Sequence, residues 1–237
     1  MSEHIVSSYD NDLQDLRRRI SEMGGIAEKM LVESIAALLR GDQPLAQTVI
    51  ASDSRLDILQ REVEESAILT IARRQPLAVD LRETISAIRV SGDVERIGDL
   101  AKNIAKRALA IGGQLQPQKI AAGVQHMTDL VLAQLKDVLD AYAQQDTVKA
   151  VDVWRRDGAI DALYTSVFRE LLTYMMEDPR NISFCTHLLF CAKNIERIGD
   201  HTTNIAETVH YLVTGENLAL DRPKNDRSID ATVGIGA

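Results

Sequence analysis

The heptapeptide Asp93-Val94-Glu95-Arg96-Ile97-Gly98-Asp99 returns as Asn194-Ile195-Glu196-Arg197-Ile198-Gly199-Asp200, and Asn103-Ile104-Ala105 returns as Asn204-Ile205-Ala206, both at an offset of 101 residues. A constant offset over separate blocks is the mark of an internal duplication. Upstream, Asp53-Ser54-Arg55-Leu56-Asp57 and Asp157-Gly158-Ala159-Ile160-Asp161 correspond at an offset of 104, as do Gly41-Asp42 and Gln145-Asp146. The change of offset requires only a small difference in length between the second and third helices of each half.

Around these blocks, helical periodicity runs from Leu13 to Val213 with short interruptions. Gly41-Asp42-Gln43-Pro44, Gln75-Pro76, Gly112-Gly113 with Pro117, Gln145-Asp146 and Asp178-Pro179 carry the turn and helix-start residues that end one helix and begin the next. The spacing predicts helices over about 8–40, 43–75, 77–112, 117–144, 146–177 and 180–214. The expected fold is therefore all-α, two tandem three-helix bundles over 8–112 and 113–215, with a disordered tail over 216–237. Gly24-Gly25 is expected to kink the first helix, each Gly costing about 1 kcal/mol relative to Ala.

Composition agrees. Hydrophobic residues make up 45% and charged residues 26%, enough apolar surface for a packed core. Aromatics at 4%, with 13 Gly and 5 Pro, lack the turn-rich, aromatic-rich signature of a β-sandwich. A net charge of −8 and a pI near 5.2 argue against nucleic acid as principal partner and favour cations or basic protein surfaces. Cys185 and Cys191 lie in an apolar run without a CxxC spacing or a secretory leader, so they read as buried thiols in a reducing compartment. No apolar run approaches the roughly 20 residues that span a bilayer, so a cytoplasmic protein without membrane insertion is expected.

The chemistry sits in acids four residues apart: Asp53/Asp57, Glu95/Asp99, Asp157/Asp161 and Glu196/Asp200. Such pairs share one helix face and repel each other by a few tenths of a kcal/mol. Taken singly, each is an ordinary solvated acidic face. Their placement about the turns says more. Asp57 and Asp53 lie 19 and 23 residues before Pro76, and Glu95 and Asp99 lie 19 and 23 residues after it, so an antiparallel hairpin brings them level. Asp161 and Asp157 lie 18 and 22 residues before Pro179, and Glu196 and Asp200 lie 17 and 21 after it.

The acids also continue apolar stripes. Trp154, Asp157, Asp161, Tyr164, Phe168, Leu171 and Met175 form one seam, and Leu81, Ile85, Ile88, Gly92, Glu95 and Asp99 another. A second apolar stripe on that helix, Ile97, Ala101, Ile104, Ala108 and Ile111, requires one of its faces to be an edge or groove. Clustered carboxylates withdrawn from water need cations, basic side chains or raised pKa values. All-oxygen sites suit Mg²⁺, Ca²⁺ or Mn²⁺, and bridging carboxylates hold iron as well. The competing account is an Arg network built from Arg96, Arg197, Arg55 and Arg61.

The doubled Glu-Arg-Ile-Gly-Asp, with Arg74-Gln75-Pro76 and Asp80-Leu81-Arg82 before the first copy and Tyr174 to Arg180 before the second, resembles the PhoU family over residues 8 to about 215. The resemblance implies two three-helix bundles, frequent homodimers, and a cytoplasmic negative regulator linking the ATPase subunit of a phosphate ABC transporter to a phosphate sensor histidine kinase. It also implies metal at Glu/Asp-x-x-x-Asp motifs in some relatives, polynuclear iron or zinc, while others carry Mn²⁺ or Mg²⁺ or no metal. Those motifs map here onto Asp53, Asp57, Glu95, Asp99, Asp157, Asp161, Glu196 and Asp200, with Asn103 and Asn204 as further carbonyl ligands or as interhelical hydrogen-bonding groups.

No enzyme is expected. P-loop, GxGxxG, HExxH and GxSxG patterns are absent, and Glu207-Thr208-Val209-His210 is a single copy of an element that di-iron bundles use twice. Beside the metal-bearing regulator stand a metal-free adaptor whose acids meet basic partners and, more remotely, a metal-dependent phosphohydrolase.

Overall fold

A computed structural model describes residues 2–112 and 118–218. The helix break expected at Gly113 and Pro117 and the tail after residue 218 lie outside the described residues. Seven α-helices account for nearly all the rest: α1 (Ser2–Arg40), α2 (Gln43–Arg74), α3 (Val79–Ile111), α4 (Gln118–Gln144), α5 (Thr147–Arg155), α6 (Asp157–Glu177) and α7 (Ile182–Thr214), with one 3₁₀ turn at Pro179–Asn181.

Turn chemistry sets the boundaries. Asp42 caps α2 by accepting from the Leu45 N–H at 3.0 Å, and Asp146 caps α5 by accepting from Val148 N–H and Lys149 N–H at 2.9 and 3.0 Å. Gln75 and Gly112 close α2 and α3 in the left-handed conformation.

The helix expected over 146–177 is broken at Arg156. The buried Gln134 amide of α4 donates to the Arg156 carbonyl at 3.2 Å, while the guanidinium reaches Asp137 at 2.6 Å and Asp152 at 3.0 Å. These ties, with Gly158 following, divide the segment and place Asp157 in the first turn of α6, where the helix dipole favours a carboxylate.

Helices α1, α2 and α3 form one three-helix bundle. In the other, α4 and α7 pack with α5 and α6, which together take the place of one helix. The bundles join through α3 against α7 and α1 against α4. Helices α3 and α7 run antiparallel: Arg82 bonds the Leu212 carbonyl at one end of the seam, and Arg107 meets His187 at the other.

One apolar cluster runs through both bundles, including Leu16, Met23 and Met30 on α1, Leu56 on α2, Ile97 and Ile104 on α3, Leu135 on α4 and Ile198 on α7. Each such side chain contributes about 1.5–3 kcal/mol by leaving water. The expected seams divide as the two-stripe pattern required. Ile97, Ala101, Ile104, Ala108 and Ile111 face the core, and the stripe bearing Glu95 and Asp99 is half-buried. Cys185 and Cys191 are buried free thiols, and burial raises the pKa of Cys191 to about 12.

Gly24 does not break α1, which is one unbroken helix. A Cβ there would lie 2.6 Å from Leu139 Cδ1, so this Gly serves the close approach of α1 to α4. The motif glycines act in the same way within each bundle. A Cβ on Gly98 would lie 2.2 Å from Leu56 Cδ1, and one on Gly199 would lie 2.8 Å from Ile160 Cδ1. Each Gly lets the acid-bearing α2 or α6 settle against the acid-bearing α3 or α7.

Candidate functional site

In the first bundle, Asp53 and Asp57 of α2 meet Glu95 and Asp99 of α3. Burial raises the Glu95 pKa above its ordinary 4.5; the adjacent Arg96 opposes this, and the charges of Asp57, Asp99 and Asp53 reinforce it. Glu95 thus feels the charges of the other three acids of its expected cluster. Lys102 stands among them, its Nζ 2.5 Å from Asp53 Oδ2 and 2.7 Å from Asp99 Oδ1. Burial would lower the Lys102 pKa, but hydrogen bonds to both carboxylates outweigh it and hold the ammonium well above its usual 10.5. Burial likewise works against the Asp99 charge, yet hydrogen bonds from Lys102 and Asn103 and the charges of Lys102 and Lys106 keep its pKa below 3.8. Asn103 donates to Asp99 Oδ2 at 3.2 Å.

In the second bundle, Asp157 and Asp161 of α6 face Glu196 and Asp200 of α7. Burial raises the Glu196 pKa; Lys193 opposes the shift, and the Asp200 and Asp161 charges add to it. This cluster lies deeper. Asp157, Asp161 and Glu196 are 2%, 5% and 6% exposed, whereas Asp53 at 8% is the sole acid of the first four in that class. The Thr203 hydroxyl donates to Asp157 Oδ1 at 3.0 Å. Lys193 Nζ sits 2.8 Å from Glu196 Oε1, and the buried Glu196 Oε2 has no hydrogen-bond partner among the described residues.

Lysines stand closest to the acids, and of the Arg network weighed from sequence Arg96 contributes, beside Glu95. Arg55 pairs with Glu22, Arg61 bonds the Asp57 carbonyl, and Arg96 reaches Glu95 at 3.6 Å from an exposed position. Lys102 lies one turn after Asp99 and Lys193 one turn before Glu196, spacings visible in sequence. Only the contacts across helices distinguish them from other surface lysines.

Asn204 goes elsewhere. Its amide crosses to α3 and donates to Asp93 Oδ1 at 3.3 Å, beside His201 Nδ1 at 2.8 Å from the same oxygen. This Asp93–His201–Asn204 group ties the bundles together. The Glu207 carboxylate accepts from Trp154 Nε1 at 3.1 Å, and His210 Nδ1 lies 3.0 Å from the Glu216 carbonyl oxygen, so the two do not form the paired element of a di-iron bundle.

The donor chemistry suits a hard cation, and a buried carboxylate oxygen without a partner is what a cation would satisfy. As placed, no three His, Cys, Asp or Glu side chains among the described residues gather closely enough to hold one ion. The second cluster has the orphaned oxygen; in the first, the Lys102 ammonium already stands between two of the acids. No described helix is long and apolar enough to cross a membrane.

Comparison with known proteins agrees with this architecture. The PhoU domain family model matches residues 20–108 and 124–209. A phosphate-specific transport system accessory protein PhoU homolog of Rhizobium meliloti is 58% identical over 223 residues, covering 94% of each chain. A protein of the same description from Caulobacter vibrioides is 53% identical over 226 residues, covering 95% of this chain and 98% of its own. The crystal structure of PhoU from Pseudomonas aeruginosa superposes with a TM-score of 0.84 at 38% identity, covering 88% of this chain and all of that one. The phosphate transport system regulatory protein PhoU from Streptococcus pneumoniae gives 0.82 at 28% identity, covering 90% of this chain and all of its own. With the domain matched once in each bundle and relatives aligned over nearly the whole length, the chain belongs to the PhoU family.

Proposed function

We propose that this protein is a cytoplasmic accessory regulator of a phosphate-specific transport system. In this reading it restrains the phosphate-starvation response and, as a homodimer, links the transporter's ATPase subunit to a sensor histidine kinase. The observation that carries the reading is the near-full-length similarity to phosphate-transport accessory proteins. The acid clusters are the elements through which it would bind metal or meet basic partners. Deletion of the gene is expected to derepress phosphate-starvation genes in phosphate-rich medium, and capture with the tagged protein is expected to recover the ATPase subunit and the kinase. Unchanged expression in the deletion strain would remove the regulatory reading.

Metal binding belongs to the same proposal. Asp157, Asp161, Glu196 and Asp200 would hold one centre, supported by the orphaned Glu196 Oε2. Asp53, Asp57, Glu95 and Asp99 would hold the other if Lys102 swings away. Such an ion would be Mg²⁺, Mn²⁺, zinc or iron, and it would neutralise the clustered acids and fix each helix hairpin. Elemental analysis of protein purified without chelator is expected to find a bound di- or trivalent ion, reduced in Glu196→Gln. Protein without metal after saturation would leave the acids as contacts for basic surfaces, the adaptor reading.

A further inference from the structure

On the α3–α7 seam, beyond the first acid cluster, lies a groove of about 420 Å³. Asn103, Lys106, Arg107, Phe190 and Asn194 line it. Arg107 is held in place there: its guanidinium carbon stands 4.3 Å from the centre of the Phe190 ring, and Nη1 lies 3.3 Å from His187 Nδ1. Neither Lys106 nor Arg107 pairs with a carboxylate among the described residues, although the chain has 35 acids to 27 bases. The nearby Asp99, which feels the Lys106 charge, is already bound to Lys102 and Asn103. The Asn194 amide makes no side-chain hydrogen bond among the described residues.

The duplication makes this unusual. At the offset of 101, Asn194 corresponds to Asp93 and Lys106 to Glu207. In those sister positions Asp93 binds His201 and Asn204, and Glu207 binds Trp154. At these sister positions both acids are internally satisfied. The groove has Asn194 and Lys106 in place of those acids and presents two cations and two amides, with Asp99, already held by Lys102 and Asn103, as the anion beside it.

We propose that this groove binds a phosphate dianion, free or as the monoester of a small aromatic molecule, with Lys106, Arg107 and the Asn103 and Asn194 amides as donors. Two positive charges without a carboxylate in salt-bridge contact among the described residues match a dianion better than a carboxylate, and a guanidinium fork suits phosphate oxygens. The half-exposed Phe190 ring also lines the groove, and the face that Arg107 does not cover is available to the organic part of an ester.

Calorimetric titration of the full-length, chelator-treated protein tests this, and it does so independently of the metal reading because no metal is present. The probes are inorganic phosphate, adenosine 5′-monophosphate and adenosine. Both phosphate-bearing probes, or the nucleotide alone, are expected to bind, and adenosine is not; tighter binding of the nucleotide identifies an ester as ligand, and equal affinities identify free phosphate. Lys106→Ala and Asn194→Asp, the second restoring the sister acid, are each expected to weaken binding about tenfold or more with helical content unchanged. Lys136→Ala, in a groove elsewhere between α1 and α4, is expected to bind as the parent does. Absence of binding by either phosphate probe, parental affinity in both groove variants, or an equal loss in Lys136→Ala would overturn the proposal.

Discussion

The two bundles face one electrostatic problem and solve it differently. Each gathers two acid pairs from neighbouring helices at the offset of the duplication, yet the compensating groups have changed place. In the first bundle Lys102 bridges Asp53 and Asp99; at the equivalent position of the second, the uncharged Thr203 hydroxyl donates to Asp157. Conversely, Lys193 approaches Glu196 from a position that in the first bundle is Gly92. The first cluster is more open and internally neutralised. The second is more deeply buried and keeps one carboxylate oxygen unsatisfied. Acid positions can therefore persist through a duplication while the groups beside them change.

The largest expected effect that tests this contrast comes from the exchanged position itself. In metal-free protein, Lys102→Met strands Asp53 and Asp99 and is expected to cost about 2–3 kcal/mol by urea denaturation. Thr203→Val, which removes one hydrogen bond from a carboxylate that keeps another interaction, is expected to cost about 1.5 kcal/mol. Equal costs would erase the distinction between the bundles.

A smaller effect is expected from giving the first bundle the second bundle's lysine. A Cβ on Gly92 meets nothing within 4 Å, so Gly92→Lys is expected to stabilise the protein by about 1 kcal/mol, through helix propensity and the neighbouring Glu95. A loss of stability would show that the two sites are not interchangeable.

The smallest is expected at Glu196. Burial holds its folded pKa above 4.5, so the folded protein retains a proton that the unfolded chain has released. Its contribution to stability therefore falls as pH rises from 4.5 through the folded value. Asp99 has the opposite sign: its pKa lies below 3.8, and the stability it contributes above 3.8 is lost as pH falls through the folded value. Glu196→Gln is expected to flatten the decline above pH 4.5 and leave the metal-free protein slightly more stable at pH 7. Asp99→Asn is expected to lower stability at pH 7. Stability curves against pH for both variants check the pair, and a shift of the same sign in both would break the contrast.

Much of this was legible in residue order. Period and turn residues specify the helices to within a few positions, because apolar spacing, Asp caps and left-handed closing residues act locally. The equal height of the acid pairs about Pro76 also follows from helical rise alone. Other features depend on distant partners. Arg156 interrupts a helical pattern because Gln134 of another helix takes its carbonyl, and Gly24, which reads as a kink, is instead a seat for Leu139.

The sequence by itself determined the duplication, the all-helical class and the level placement of the acid pairs about Pro76, since each is a matter of spacing along one chain. Only the tertiary structure decided which lysine meets which acid, that Asn204 turns to Asp93 while Asn103 stays with Asp99, and that Lys106, Arg107 and Asn194 line one groove. The physical reason is one of range. Helical spacing is fixed by bonds within the chain, whereas the state of a charge is fixed by whatever the fold places a few ångströms away.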